Sequence, residues 1–296
     1  MSTPSMLARL EQIEDLPTLP AIAMEVNKML QDQEASINRL CERIEKDQVM
    51  VAKILKLVNS AFFGLSSRID SLSHAVVLLG FNTIQSAVVS ISLVKALSRC
   101  SGLDGFSMEA FWRHSVAVAV TSKHLALKSR LYPSDVCFLG GLLHDIGKVV
   151  LAQYFGAEFE RVWRSSRENG LSFYEAEKMA LPMGHPKIGG FLARKWKLPP
   201  NLVDAISHHH HVKASIGDPD FTMIVQVSDL IVHSVMDNGN DRIERHLLSP
   251  EAGKRLGPGL KGLSDNLSSI EEEIGEACGF FMEHIEQEPY KEEAGA

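Results

Sequence analysis

The sequence predicts an all-α protein, and three observations carry that reading. Apolar residues recur at spacings of three and four along nearly the whole chain, whereas the period-two alternation of half-buried strands is scarce. Helix-start chemistry precedes the apolar runs at Pro20, Ser36, Asp47 and Ser172, the last with Glu175 as a capping box. With 296 residues, of which 45% are apolar and 23% charged, the chain can bury a substantial core. Two helical lobes are expected, 1–100 and 101–296, the second a helical bundle, linked through Cys100 to Phe106 with Gly102 and Gly105.

In order along the chain, Leu16-Pro-Thr-Leu-Pro20 is extended, and Pro20 opens a helix to Leu30. Ser36 caps a helix with Ile37, Leu40, Cys41 and Ile44 on one face. Asp47 caps another that carries Val51, Ile54, Leu55, Val58 and Phe62 as far as Gly64. Ser71 to Leu79 forms a short helix closed by Gly80, and Asn82 starts one that is apolar on nearly all sides, hence buried. A long helix spans about Ser107 to Ser129. The next carries Phe138, Leu139, Leu142 and Leu143 up to His144 and Asp145 and ends at Gly147. Gly184-His185-Pro186 and Leu198-Pro-Pro-Asn201 each begin a helix, the second reaching His208 to His211. Residues 220–237 form another helix, 237–245 a surface loop, and 264–286 a last amphipathic helix with Leu267, Ile270, Ile274, Phe281 and Ile285 inward; 287–296 is a polar tail.

The formal net charge of −7 argues against general affinity for nucleic acid or acidic membranes, since no surplus of Lys and Arg can neutralise phosphates. Four scattered cysteines without a CxxC pair read as reduced thiols of a cytoplasmic protein. No signal-peptide run opens the chain, and no stretch approaches the roughly 18 apolar residues of a membrane helix.

Chemistry-bearing residues stand in apolar surroundings. His144-Asp145 pairs an imidazole with a carboxylate, a combination suited to a borderline divalent ion, and Lys148 beside it could hold an anion. His114 lies on an inward-facing helical position between Phe111 and Val118. His185 starts a helix, and His208 or His209 ends one; His210 and His211 read as a solvated patch. Asp229, inside Phe221-Thr-Met-Ile-Val-Gln-Val-Ser-Asp-Leu-Ile-Val-His233, is costly to bury unless protonated, paired or bound to a metal. Singly, each histidine is ordinarily a hydrogen-bonded core residue, and Asp229 could pair with a core Lys or Arg. His124, His233 and His246 have no supporting pattern and read as structural. Collected, the hard-to-bury groups most simply satisfy one another around a metal.

The order His114, His144-Asp145, Asp229 resembles that of the HD superfamily of metal-dependent phosphohydrolases. A wider pattern runs through the first lobe as Leu16-Pro-Thr-Leu-Pro20, Asn59-Ser-Ala-Phe-Phe-Gly64, Ile69-Asp-Ser-Leu-Ser-His-Ala75 and Leu78-Leu-Gly-Phe81. In the second it continues with Phe111-Trp-Arg-His114, Gly141-Leu-Leu-His-Asp-Ile-Gly-Lys148, Gly184-His185, Trp196-Lys-Leu-Pro-Pro200 and Ala205 to His210. Spanning about residues 10–285, these motifs resemble the HDOD domain, an HD-related output domain of bacterial signalling. The resemblance implies an all-α fold, an HD-type second lobe and a regulatory role. The related HD-GYP phosphodiesterases cleave cyclic di-GMP. This chain lacks their Gly-Tyr-Pro motif, has His210 where they carry a carboxylate, and has Ala110 where a third-metal glutamate can stand.

The expected function is a regulatory HDOD protein acting through signalling partners, with a metal centre that is retained or vestigial. Its ligands would come from His114, His144, Asp145, His185, His208, His209 and Asp229, around one or two ions of Fe, Mn, Zn or Mg. The alternative is an active metal-dependent phosphohydrolase on a nucleotide or cyclic dinucleotide, with Asp145 and Lys148 catalytic. A helix-turn-helix reading of Ala75 onward fails, because residues 71–98 hold one basic side chain, Lys95, and a recognition helix needs polar and basic groups.

Overall fold

A computed structural model describes residues 5–30, 37–60, 68–97, 106–237 and 248–286, and every regular element among them is helical. The first group is α1 (Met6–Glu11), α2 (Ala21–Leu30), α3 (Ile37–Ile44), α4 (Gln48–Val58), α5 (Leu72–Leu79) and α6 (Phe81–Leu97). Then come α7 (Met108–Ser129), α8 (Ser134–Leu143), α9 (Ile146–Tyr154), α10 (Gly156–Asn169), α11 (Phe173–Ala180), α12 (His185–Lys195), α13 (Pro200–His208) and α14 (Pro219–Val232). The last three are α15 (Pro250–Arg255), α16 (Gly257–Asp265) and α17 (Leu267–Glu286).

The predicted starts at Asp47, Ser71 and Ser172 are real caps: each side chain accepts a backbone N–H three residues on, and Ser172 with Glu175 completes a capping box. Gly80, at φ 87, adopts the left-handed region that closes α5. α6 is apolar on nearly all sides because it is enclosed: Thr83 through Val94 are all buried. Among the described residues no single helix is long and apolar enough to cross a membrane. α5 and α6 pass together only as a pair bent by 120°.

Several boundaries differ from expectation. α4 ends at Val58, short of Phe62 and Gly64, because Asn59 takes over: its amide donates to the Leu55 and Ile69 carbonyls at 2.8 and 2.7 Å and accepts from Ile69 N–H at 2.7 Å. The predicted helix over 220–237 is present, as α14 continued by a π-helix at His233–Asp237. The final predicted helix is preceded by α15 and α16, which are short and glycine-rich, and α10 is too charged to show a broad apolar stripe. α1 was not expected from its six residues either. Ser36, Phe62, Gly64, Cys100, the link through Gly102 and Gly105, the loop after 237, His246 and the tail lie outside the described residues, as does the side chain of Ile285.

One apolar cluster runs from Met6 to Phe281. Cys41, Cys137 and Cys278 are buried free thiols within it. The extended segment before α2 is tied to the later part of the chain by two hydrogen bonds, and α2 itself by a third. Tyr154 donates to the Asp15 carbonyl at 2.7 Å, Trp196 Nε1 to that of Pro17 at 2.7 Å, and Asn27, in α2, to that of Lys197 at 2.8 Å.

Candidate metal centre

Two glycines let the helices that bear the centre approach one another. A methyl group on Gly141 would stand 2.7 Å from the Ala119 Cα, so α8 lies almost backbone to backbone on α7. A methyl on Gly147 would overlap the His185 carbonyl oxygen, which seats the start of α9 on the start of α12. Gly147 therefore lies inside α9 and serves contact. The helical run ends earlier, at Leu143, and resumes at Ile146, leaving His144 and Asp145 in the bend between α8 and α9. That bend aims both side chains at His114 of α7, His185 of α12, His209 after α13 and Asp229 of α14.

The distances are those of a common site. His185 Nε2 lies 3.1 Å and His209 Nε2 3.6 Å from Asp145 Oδ1. His144 Nε2 lies 3.3 Å and His114 Nε2 3.8 Å from Asp145 Oδ2. Asp229 Oδ1 stands 3.1 Å from His114 Nε2 and 3.6 Å from His144 Nε2. His144, His185 and His209 are 0% exposed, Asp145 1% and Asp229 4%. Two ligand groups result: Asp145, His185, His209 and His210, and His114, His144 and Asp229, each with one donor atom per residue inside a 4.8 Å span. Asp145 turns one oxygen to each group.

A divalent ion fits these donors. Ligands about 2.1 Å from a tetrahedral ion lie roughly 3.4 Å from one another, within the range seen here. His144 Nε2, Asp145 Oδ1 and Asp229 Oδ1 are buried without a hydrogen-bond partner although polar atoms stand close by, the arrangement expected of lone pairs that converge on one point. The orientation is fixed from behind. His144 Nδ1 donates to the Gly141 carbonyl at 2.7 Å, His209 Nδ1 to that of Ile206 at 2.9 Å, and His185 Nδ1 to Glu177 at 2.6 Å. Each Nε2 is thereby left to face the centre.

Without an ion the charges act directly on one another. Burial opposes protonation of His144, yet Asp145 and Asp229 outweigh it and raise its pKa to about 10. Burial alone would raise Asp145 and Asp229; the imidazoles, and Lys148 for Asp145, hold both well below the usual carboxylate range. Burial lowers His209 to about 4, so it stays neutral.

The structure sets His208 apart from the centre and brings His210, His233 and Glu177 to it. His208 turns away from the centre: its Nδ1 lies 2.9 Å from Asp204 Oδ1, and 30% of its side chain is exposed. Asp204 also accepts from Ser215 and the Gly217 N–H, so the turn after α13 pulls His208 outward while His209 faces in. His210, expected in solvent, has its Nε2 3.2 Å from that of His185 and stacks on Tyr174 at 4.1 Å. His233 sets its Nε2 3.5 Å from Asp229 Oδ1, with its ring 4.6 Å from that of His114. His124 is apart from the centre, 2.9 Å from Glu273. Lys148 pairs with Asp145 Oδ2. Glu177, entirely buried, was not anticipated, and nothing in its surroundings distinguishes it from the exposed Glu175 two residues earlier.

The profile of the HDOD domain family matches residues 16–212. Among solved structures, an HDOD domain protein of unknown function from Geobacter sulfurreducens aligns with a TM-score of 0.78 at 24% identity, covering 92% of this chain and 96% of that one. A Shewanella amazonensis SB2B protein provisionally named a phosphohydrolase gives 0.74 at 23% identity, covering 92% and 97%. A Marinobacter aquaeolei VT8 protein provisionally named a signal transduction protein gives 0.70 at 21%, covering 95% and 62%. At these identities the likeness is one of fold. The curated relatives are longer, and this chain spans 39% and 17% of their lengths.

Proposed function

This chain belongs to the HDOD domain family, and from that membership we propose that it is a regulatory protein of signal transduction built around a divalent-metal centre. The observation that carries the metal reading is the convergence of seven side chains, His114, His144, Asp145, His185, His209, His210 and Asp229, into two adjoining donor groups. Five imidazoles against two carboxylates favour Zn, Fe or Mn over the oxygen-seeking Mg. The regulatory reading rests on burial. Five of the seven donor residues are buried, so an ion there would brace α7, α8, α12 and α14 against one another and make their packing depend on ion occupancy. The partners proposed are other signalling proteins.

A second reading, hydrolysis of a nucleotide phosphate, has one observation in its favour: solvent reaches the side chains of Lys148 and His114, 18% and 13% exposed. An ion held there would supply Lewis-acid polarisation of a phosphoryl oxygen, and Lys148, steadied by Asp145, would orient the anion. Protein loaded with Mn or Zn and assayed against nucleotides and cyclic dinucleotides separates the two. The regulatory reading expects bound ion without turnover; turnover that vanishes in His144→Ala establishes hydrolysis and overturns it.

A further inference from the structure

We infer that Glu177 is a positioning residue that sets His185 as a metal ligand, and that residue 184 is glycine to leave room for its carboxylate. The inference rests on the metal reading above. Glu177 lies in α11, which contributes no ligand, and is entirely buried. Both of its oxygens are spent on one residue: Oε1 accepts the His185 backbone N–H at 2.8 Å, and Oε2 accepts from His185 Nδ1 at 2.6 Å. The first contact fixes the start of α12, and the second fixes the ring. With the proton on Nδ1, the Nε2 lone pair faces Asp145 Oδ1 at 3.1 Å and the Nε2 atoms of His209 and His210, each at 3.2 Å. The three Nε2 atoms around one carboxylate oxygen are arranged as ligands are.

Glutamine cannot replace this carboxylate. It offers one acceptor and one donor to two N–H groups, so one contact becomes donor against donor. Gly184 is the second part of the device. A Cβ there would lie 2.8 Å from Glu177 Oε2 and 3.3 Å from its carboxyl carbon. The Gly184 backbone, at φ −88 and ψ 176, is one that alanine adopts without strain. Gly184→Ala therefore displaces the carboxylate while leaving every hydrogen-bonding group of the centre in the chain.

The test is zinc affinity of the full chain by chelator competition, with elemental analysis and thermal unfolding of the ion-free protein alongside. Glu177→Gln and Gly184→Ala should each weaken zinc binding by about 10–100-fold, as loss of an orienting partner does, while His208→Ala leaves it unchanged. Zinc affinity within twofold of wild type in either folded variant overturns the inference, including where the ion-free melting temperature falls, since that outcome marks a purely structural Glu177. Should Glu177→Gln fail to fold, Gly184→Ala decides alone. A wild-type protein that binds neither Zn, Mn nor Fe overturns the metal reading itself, a result distinct from a wild type that binds and variants that bind equally well.

Discussion

His208 and His209 are adjacent and chemically identical, yet the Asp204 turn sends one outward and the other to the centre. His209→Ala should cut metal affinity by more than tenfold, by analogy with the 10–100-fold cost of losing even an outer partner, and His208→Ala should leave it unchanged; titration of both variants with Zn checks this. Equal losses would mean that the turn is misassigned. Sequence alone could not choose between them, because the choice depends on where α13 ends and on how Asp204, one turn upstream, is held by Ser215 and Gly217 downstream. Asp229 was legible for the opposite reason: a carboxylate within an apolar run requires a partner wherever the chain goes.

The titration of the same residues gives a pH signature. A group with a raised folded pKa stabilises fully below its unfolded value and loses that contribution as pH rises, so His144 costs the ion-free protein stability between 6.5 and about 10. His209, depressed to about 4, costs stability as pH falls from 6.5. The depressed Asp145 and Asp229 stabilise above 3.8 and lose that contribution as pH falls through their lower folded values. Ion-free protein should therefore melt highest near pH 6.5, and added Zn, which competes with the protons on the ligands, should move the optimum upward. Melting curves with chelator and with Zn that share one pH profile would contradict this.

Among the elements, α9 and α12 meet where Gly147 leaves room for the His185 carbonyl. Gly147→Ala should destabilise by at least about 1–3 kcal/mol through overpacking against backbone that cannot yield, read as a lower denaturation midpoint. An unchanged midpoint would show that the two helices separate without cost. In sequence this glycine reads as a helix stop, since close approach between helices leaves no local mark. In the first group of helices Asn59→Ala removes three hydrogen bonds, one closing the end of α4 and two joining it to the segment before α5, and should cost about 1–3 kcal/mol. The starts of α4, α5 and α11 were legible from their caps; α10 buries only Phe159 and Val162, α15 is a single short stretch, and α16 is broken up by glycines and a proline, so these were not.

For the whole molecule, the all-α class followed from periodicity, and family membership from motifs spread along the chain. The convergence of three helices and two turns on Asp145 did not, because it is set by packing between elements distant in sequence. The central claim, that buried imidazoles and carboxylates share a metal around Asp145, is tested most directly by elemental analysis of purified wild-type protein against Asp145→Ala. Wild type should carry one or two equivalents of Zn, Fe or Mn per chain and the variant almost none; equal metal content in both, or none in wild type after incubation with these ions, would contradict it.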